Sequence, residues 1–236
     1  FIFLIPLFVR FGFDNLKTKR LRIHVLRMLL AFAAQLGIFV TVINMPLAEA
    51  TAFMFSKPLF TTVVAVVLLS EIVSVKRWAA TVAGFLGVVV LVRPGMEAFN
   101  PFALLAIGSA LTFAIANVMI RLMSSTEPTP RILFYYHVGG VVLFAGPCAW
   151  VWKNPFGIEW LQLVLIGGLT TVGIYSFMRA FTVGEANAVG PAENVRLIYA
   201  VLFGYFLFSE IPSIWTCVGA LMIVGSTFYI ARVEAR

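Results

Sequence analysis

Charge is scarce in this chain: Asp, Glu, Lys and Arg make up 11% of its 236 residues, against about 25% in a soluble globular domain. Catalytic and metal-binding side chains are scarcer still. Asp14 is the single aspartate, His24 and His137 are the two histidines, and Cys148 and Cys217 are the two cysteines. No CxxC spacing and no Cys/His cluster occurs, which leaves no metal site and calls for no cofactor. Both cysteines lie inside apolar runs and read as buried small hydrophobes. No nucleophile–base pair or catalytic motif surrounds the remaining acids, so an intramembrane enzyme is a distant alternative. A channel is equally distant, because no filter-like Gly/Thr repeat or ring of charges is present. The net charge of +7 does not point to nucleic acid, since the basic residues sit in short gaps between apolar runs rather than on one surface. Phe1–Val9 has no basic leader and no small-residue cleavage site before it, so it does not read as a signal peptide.

What the chain has is apolar length. Hydrophobic residues are 61% of it, more than one globular core can bury, so the bilayer must act as solvent. A spanning helix takes about 20 apolar residues. On that measure the sequence predicts a partial span at 1–9 and full spans at 24–43, 47–69, 77–93, 101–123, 132–152, 159–181, 186–208 and 214–232. The connections are short and rich in Pro, Gly, Asn and Ser, as at Asn44-Met45-Pro46 and Lys153-Asn154-Pro155. Successive spans are therefore antiparallel neighbours.

Lys and Arg distinguish the two sides. One alternating set of connections holds Arg10, Lys17, Lys19, Arg20, Arg22, Arg27, Lys76, Arg77, Arg121, Arg131, Arg179, Arg232 and Arg236; the other holds Arg93 and Lys153. Cations are retained on the cytoplasmic side. The expectation is a multi-pass protein of the cell's inner membrane with a cytoplasmic C-terminus. The five tryptophans, Trp78, Trp150, Trp152, Trp160 and Trp215, stand at span ends, as interfacial belts require.

The chain also repeats itself. Leu69-Ser70-Glu71-Ile72 recurs as Phe208-Ser209-Glu210-Ile211, 139 residues on. Each copy ends an apolar span and precedes a glycine-containing one that opens with Trp78 or Trp215. Lys76 and Arg77 follow the first copy, whereas no cation follows the second before Arg232. The copies are thus expected to be inverted in the membrane. An inverted repeat places a substrate site at the interface of its halves and suits a secondary transporter. The division expected is a first repeat at 1–95, cut short at its start, and a second, inverted repeat at 100–236.

The stretches PLAEATAFMFSKPLFTTVVAVVLLSEIVSVKRWAATVAGFLGVVVLVRPG (46–95) and GEANAVGPAENVRLIYAVLFGYFLFSEIPSIWTCVGALMIVGSTFYIARVE (184–234) resemble the EamA family of the drug/metabolite transporter superfamily. The resemblance implies an all-α integral membrane protein of ten helices in two inverted five-helix repeats, with a central cavity. This chain would then be N-terminally truncated, with about eight full spans plus a partial one. It also implies a small-molecule substrate, which the family does not fix.

Ionisable groups at membrane depth cost roughly 2.5–3.5 kcal/mol each and need a partner, a wet cavity or a function. Lys57 precedes Glu71, and Arg196 precedes Glu210, by the same 14 residues, about 21 Å along a helix. The repeat register makes them equivalent, and a pseudo-twofold would set the two cations on opposite walls of one cavity. That pair suits a carboxylate or phosphate on an anionic or zwitterionic substrate, such as an amino acid or vitamin-like compound. The competing reading is internal neutralisation of both cations, Arg196 or Lys57 by Glu193. Pro58 and Pro191 would loosen the helices locally. Asn117, Asn194, Tyr175 and Tyr199 are further candidate cavity residues. Glu49, Glu71, Glu210 and His137 are candidates for gating or coupling, with a proton as the coupling ion to test. Export of cationic or amphipathic drugs, using Glu49 or Glu193 as the cation site, is the alternative to transport of an anionic or zwitterionic metabolite in either direction. Gly84, Gly87, Gly167, Gly168, Gly173, Gly219 and Gly225 are expected to permit close helix packing.

Overall fold

The computed structural model describes residues 2–93, 99–124, 126–183 and 195–234. Among them the regular structure is helical throughout. After a short 3-10 turn the helices are α1 (Ile5–Phe11), α2 (Leu21–Asn44), α3 (Leu47–Met54), α4 (Lys57–Leu69), α5 (Val75–Val92), α6 (Phe102–Ser124), α7 (Thr129–Trp150), α8 (Ile158–Val183), α9 (Val195–Phe208) and α10 (Ile214–Glu234). Among the described residues, six stretches are long and apolar enough to cross a bilayer: Leu21–Asn44, Leu47–Leu69, Val75–Val92, Phe102–Ile120, Thr129–Trp150 and Ile214–Arg232. Shorter apolar stretches are Ile158–Gly173 and Tyr199–Phe208. Of the expected span at 186–208, residues 186–194 lie outside the described residues.

The helix expected at 47–69 is interrupted at Phe55 and Ser56. Pro58 has no N–H for the Met54 carbonyl, and its ring crowds that carbonyl, so the helix cannot run straight through. The chain restarts with Pro58 in the first turn of α4, where the missing N–H costs nothing. Ser56 covers the break: its hydroxyl donates to the Phe53 carbonyl at 2.6 Å.

The repeated Ser-Glu pair is a stop signal. Ser70 and Ser209 both adopt left-handed backbone, with φ of 53° and 56°. The N–H of Glu71 then reaches back to the Ala65 carbonyl at 3.5 Å, and that of Glu210 to the Gly204 carbonyl at 2.9 Å. Each bond reaches six residues back, one residue further than a Schellman bond, and closes the helix end over its left-handed serine. The next helix after the first copy starts on a cap: Ser74 accepts from the Arg77 N–H at 3.3 Å.

Alanine is prominent in the interior: Ala52, Ala65, Ala106, Ala110 and Ala114 are at most 1% exposed, beside a few large groups such as Phe53, Leu59 and Ile223. The outer faces carry Val67, Ile72, Ile166, Phe206 and Leu207, all more than half exposed. Large apolar groups outward and alanine inward is the arrangement of helices packed within lipid. Buried hydroxyls bond one turn back along their own helix, as Thr41 does to the Gly37 carbonyl at 2.8 Å and Thr81 to the Arg77 carbonyl at 2.9 Å. All five tryptophans are exposed. Cys148 and Cys217, expected to be buried, are exposed and unpaired on the surfaces of α7 and α10. An apolar run inside a membrane has lipid-facing positions that tolerate a thiol as readily as core positions do.

The chain forms two compact units, Phe1–Phe32 with Ile120–Glu185, and Ala33–Met119 with Ala186–Arg236. In the first, Phe8 of α1 meets Phe134 of α7 edge-on at 5.4 Å, and Gly139 leaves room for the Met28 side chain, whose Sδ takes the place a Cβ would need. In the second, the two glycine-containing helices α5 and α10 pack backbone to backbone. A Cβ on Gly87 would fall 3.0 Å from the Gly219 carbonyl oxygen, and one on Gly219 would fall 2.9 Å from that of Gly87. Gly84 serves the same contact by admitting Leu59 and Ser226. Gly173 and Gly225, expected to act likewise, have nothing within 4 Å of where a Cβ would stand.

Candidate functional site

One end of the second unit gathers polar groups from four separate stretches of sequence. Glu49 stands in the first turn of α3, where the helix dipole favours a carboxylate. Its Oε1 accepts from the Thr216 hydroxyl at 2.7 Å and lies 3.4 Å from Arg93. Arg93 ends α5 in left-handed backbone, φ 52°. Its guanidinium also donates to the Ser213 hydroxyl and, at 3.2 Å, to the Thr216 hydroxyl. Its buried Nε has no hydrogen-bond partner. Beside this network Glu210 accepts from the Leu47 N–H at 2.8 Å and so caps α3 from the end of another helix. Gly204 makes that reach possible, since a Cβ there would sit 2.9 Å from the Glu210 carboxylate. Asn100 completes the group by donating to the Asn44 carbonyl at 3.3 Å.

Lys57 is the first residue of α4, immediately after the helix break, and is half-buried. Its carbonyl accepts from the Thr61 hydroxyl at 2.9 Å. The positive end of the α4 dipole starts at the same point, where the Leu59 and Phe60 N–H groups donate to the Ser56 carbonyl at 3.0 and 3.1 Å. Arg196 is the second residue of α9. Its side chain, that of Tyr175, and the whole of Glu185, Pro191, Glu193 and Asn194 lie outside the described residues. Tyr199 is exposed on α9, stacked on Phe203 at 6.0 Å. Asn117 is half-buried on α6. Glu71 ends α4, half-buried. His137 keeps its Nδ1 2.8 Å from the Leu133 carbonyl one turn back in α7. A separate cavity of about 60 Å³, lined by Ile38, Thr41, Leu47, Ala50, Thr51 and Met54, has room for a water or two.

The first unit has a polar cluster that composition did not single out. Glu127, 4% exposed, joins α6 to α7. Its carboxylate accepts from the Thr18 hydroxyl at 2.7 Å and from Arg131 at 2.9 Å. Burial pushes its pKa up, but the Thr18 and Arg131 hydrogen bonds and the nearby positive charge outweigh burial and hold it below the usual value. Arg131 ties the same point to the Asn15 carbonyl at 2.8 Å. The Glu127–Arg131 pair has the i, i+4 spacing of neighbours on a helix and was open to sequence reading. Thr18, 109 residues away from Glu127, left no sequence signal. Arg93 left a faint one, as one of two cations in the depleted set of connections.

Among the described residues, six stretches long and apolar enough to span a bilayer and outer faces rich in large apolar side chains define a multi-pass membrane protein. The chain belongs to the EamA-like transporter family, whose model matches residues 1–93 and 100–232. It is a transport protein of the drug/metabolite type and not an enzyme. It is 32% identical over 235 residues to a Rickettsia conorii protein named S-adenosylmethionine uptake transporter, covering 100% of this chain and 80% of that one. It is 28% identical over 230 residues to a Vibrio cholerae protein named riboflavin transporter, covering 94% of this chain and 76% of that one. A crystal structure with 21% sequence identity superposes on 95% of this chain and 79% of its own, with a TM-score of 0.64, and so shares the fold.

Proposed function

We propose that the protein is a secondary transporter that takes up a small anionic or zwitterionic metabolite across the inner membrane by alternating access. The observation that carries this reading is the break at Phe55 and Ser56, which places Lys57 on the N-terminus of α4. Half-helix N-termini within spans are where transporters hold anionic substrate groups. Lys57 adds a full charge to that partial one, and Arg196 is its register mate in the repeat. Glu193, Asn194, Tyr199 and Asn117 are assigned to the same cavity, with Glu49, Glu71 and Glu210 at its gates; His137, in the first unit, is a separate candidate for coupling.

The inverted architecture, with repeats at 1–95 and 100–236, is supported from three sides. Both Ser-Glu pairs end their helices with the same left-handed geometry. The equivalent helices α5 and α10 pack on each other through glycine. The family model matches in two stretches divided near residue 95. Counting Lys and Arg puts the Arg93 end of the second unit outside and the C-terminus in the cytoplasm. Relatives named for S-adenosylmethionine uptake make an amino-acid-bearing metabolite the first substrate to try, since its carboxylate suits the Lys57 and Arg196 pair. At Glu49, a cation-binding role for drug export is disfavoured because Arg93 and Thr216 already occupy the carboxylate.

The test is uptake of labelled S-adenosylmethionine, riboflavin and amino acids into proteoliposomes. Lys57→Ala and Arg196→Ala should each lower uptake of the accepted solute at least about tenfold, the loss of one charge-assisted hydrogen bond. Normal uptake by both variants, correctly inserted, would remove the anion site.

A further inference from the structure

His24 is 3% exposed, and neither of its ring nitrogens has a hydrogen-bond partner. A buried imidazole without partners is costly and rare, so its surroundings matter. Nε2 points at Glu127 Oε2 across 3.7 Å, too far for a hydrogen bond and close enough for an ion pair. The other groups facing the ring are Arg131 and Tyr135 from α7, the latter in ring contact at 4.6 Å. Arg27 lies one turn on along α2, with its guanidinium over the Tyr136 ring at 5.0 Å. Thr18 and Asn15, in the segment before α2, reach the same cluster through Glu127 and Arg131. Glu127 Oε1 is occupied by Thr18, and Oε2 by Arg131. A carboxylate oxygen has a second lone pair, and on Oε2 that second position faces His24.

We propose that His24 and Glu127 form a proton-binding site at the Lys/Arg-rich end of the first unit. One proton adds to His24 Nε2, and the resulting N–H closes the 3.7 Å approach into a charge-assisted hydrogen bond to Glu127 Oε2. No bond other than the new N–H forms, and the proton comes from solvent. The site then gains a fourth tie. The 13–20 segment is held through Thr18 and Asn15, α7 through Arg131, and α2 through His24 itself. Proton uptake therefore fastens the start of α2 and the segment before it to the start of α7. The site is defined by residues of one unit and stands whichever solute is carried.

Two measurements on the full chain in lipid nanodiscs decide the matter. With ¹⁵N-labelled histidine, the resonance absent from His24→Gln is that of His24. It should titrate as the pH is lowered, and in Glu127→Gln its midpoint should move to lower pH by about one unit or more. A His24 signal that does not titrate, or a midpoint unmoved in Glu127→Gln, overturns the proposal. A nitroxide at Lys19→Cys, in a Cys148→Ser/Cys217→Ser background, reports the tie directly. Its mobility should fall as the pH is lowered and stay level when His24→Gln is added. The same pH response in His24→Gln overturns the proposal even if Glu127→Gln fails to insert.

Discussion

At the scale of single residues, the polar side chains of this protein are costly to bury and are spent at helix ends. Arg93 is the clearest case. It serves Glu49, Ser213 and Thr216 at once, so removing it leaves a half-buried carboxylate with a single hydroxyl partner. Arg93→Ala should lower stability by about 1–3 kcal/mol, read as a shift in thermal unfolding in detergent. A charge exchange, Glu49→Arg with Arg93→Glu, should recover part of that loss; no recovery would show that the network matters through packing alone. Glu127 gives a pH prediction. Its folded-state pKa is held below the ordinary glutamate value of about 4.3. Its contribution is therefore present above that value and lost as pH falls through the lower folded value. The wild type should lose stability more steeply than Glu127→Gln in acid below about pH 4.3. Parallel acid unfolding curves for the two would contradict this sign. These contacts were only partly legible in the sequence. Arg93 and Glu49 are 44 residues apart, and Thr216 and Glu49 are 167 apart. No local pattern connects such positions.

At the scale of elements, prolines, serines and glycines set where helices break, stop and touch. Pro58 divides one long apolar run into α3 and α4 because it offers no N–H and crowds a carbonyl. The run itself was readable and the loosening at Pro58 was foreseeable, but the full break into two helices, with the Ser56 hydroxyl bonded back to the Phe53 carbonyl, came only with the structure. Ser70 and Ser209 were visible as a repeat. Their role as left-handed stops came only with the backbone, since serine reaches positive φ less readily than glycine. Glycine was read too generously. Gly87 and Gly219 face each other, whereas Gly173 and Gly225 face open space. Composition cannot tell which face of a helix meets a partner. Gly219→Leu should therefore disrupt the α5–α10 contact and lower stability by about 1–3 kcal/mol or more. Gly225→Leu, on a face with nothing within 4 Å, should leave it nearly unchanged. Comparing the two by urea-resistance or thermal assays in the same detergent checks the assignment, and equal losses would refute it.

At the scale of the whole molecule, the bilayer inverts the usual logic of burial. Alanines are packed inside beside a few large groups, and many large apolar side chains face outward, because lipid is as good a solvent for leucine as a protein core. The cysteines follow from this: both are on outward faces. Cys148→Ser with Cys217→Ser should change stability by no more than about 0.5 kcal/mol, measured by thermal unfolding, and a larger loss would place at least one thiol in a packed contact.

The sequence by itself determined the class, the family and where the apolar helical runs lie. Those depend on apolar run length and on punctuation by Pro, Gly, Ser, Lys and Arg, which are local quantities set by hydrocarbon thickness and backbone stereochemistry. Tertiary structure alone decided which polar groups meet. Glu210 capping α3, Arg93 clamping Glu49 and Thr18 reaching Glu127 each join residues that are distant in the chain. Such pairings follow from the burial of whole helices. A buried donor must find whichever acceptor packing has brought near, and helix packing is a property of the assembled faces rather than of any one segment.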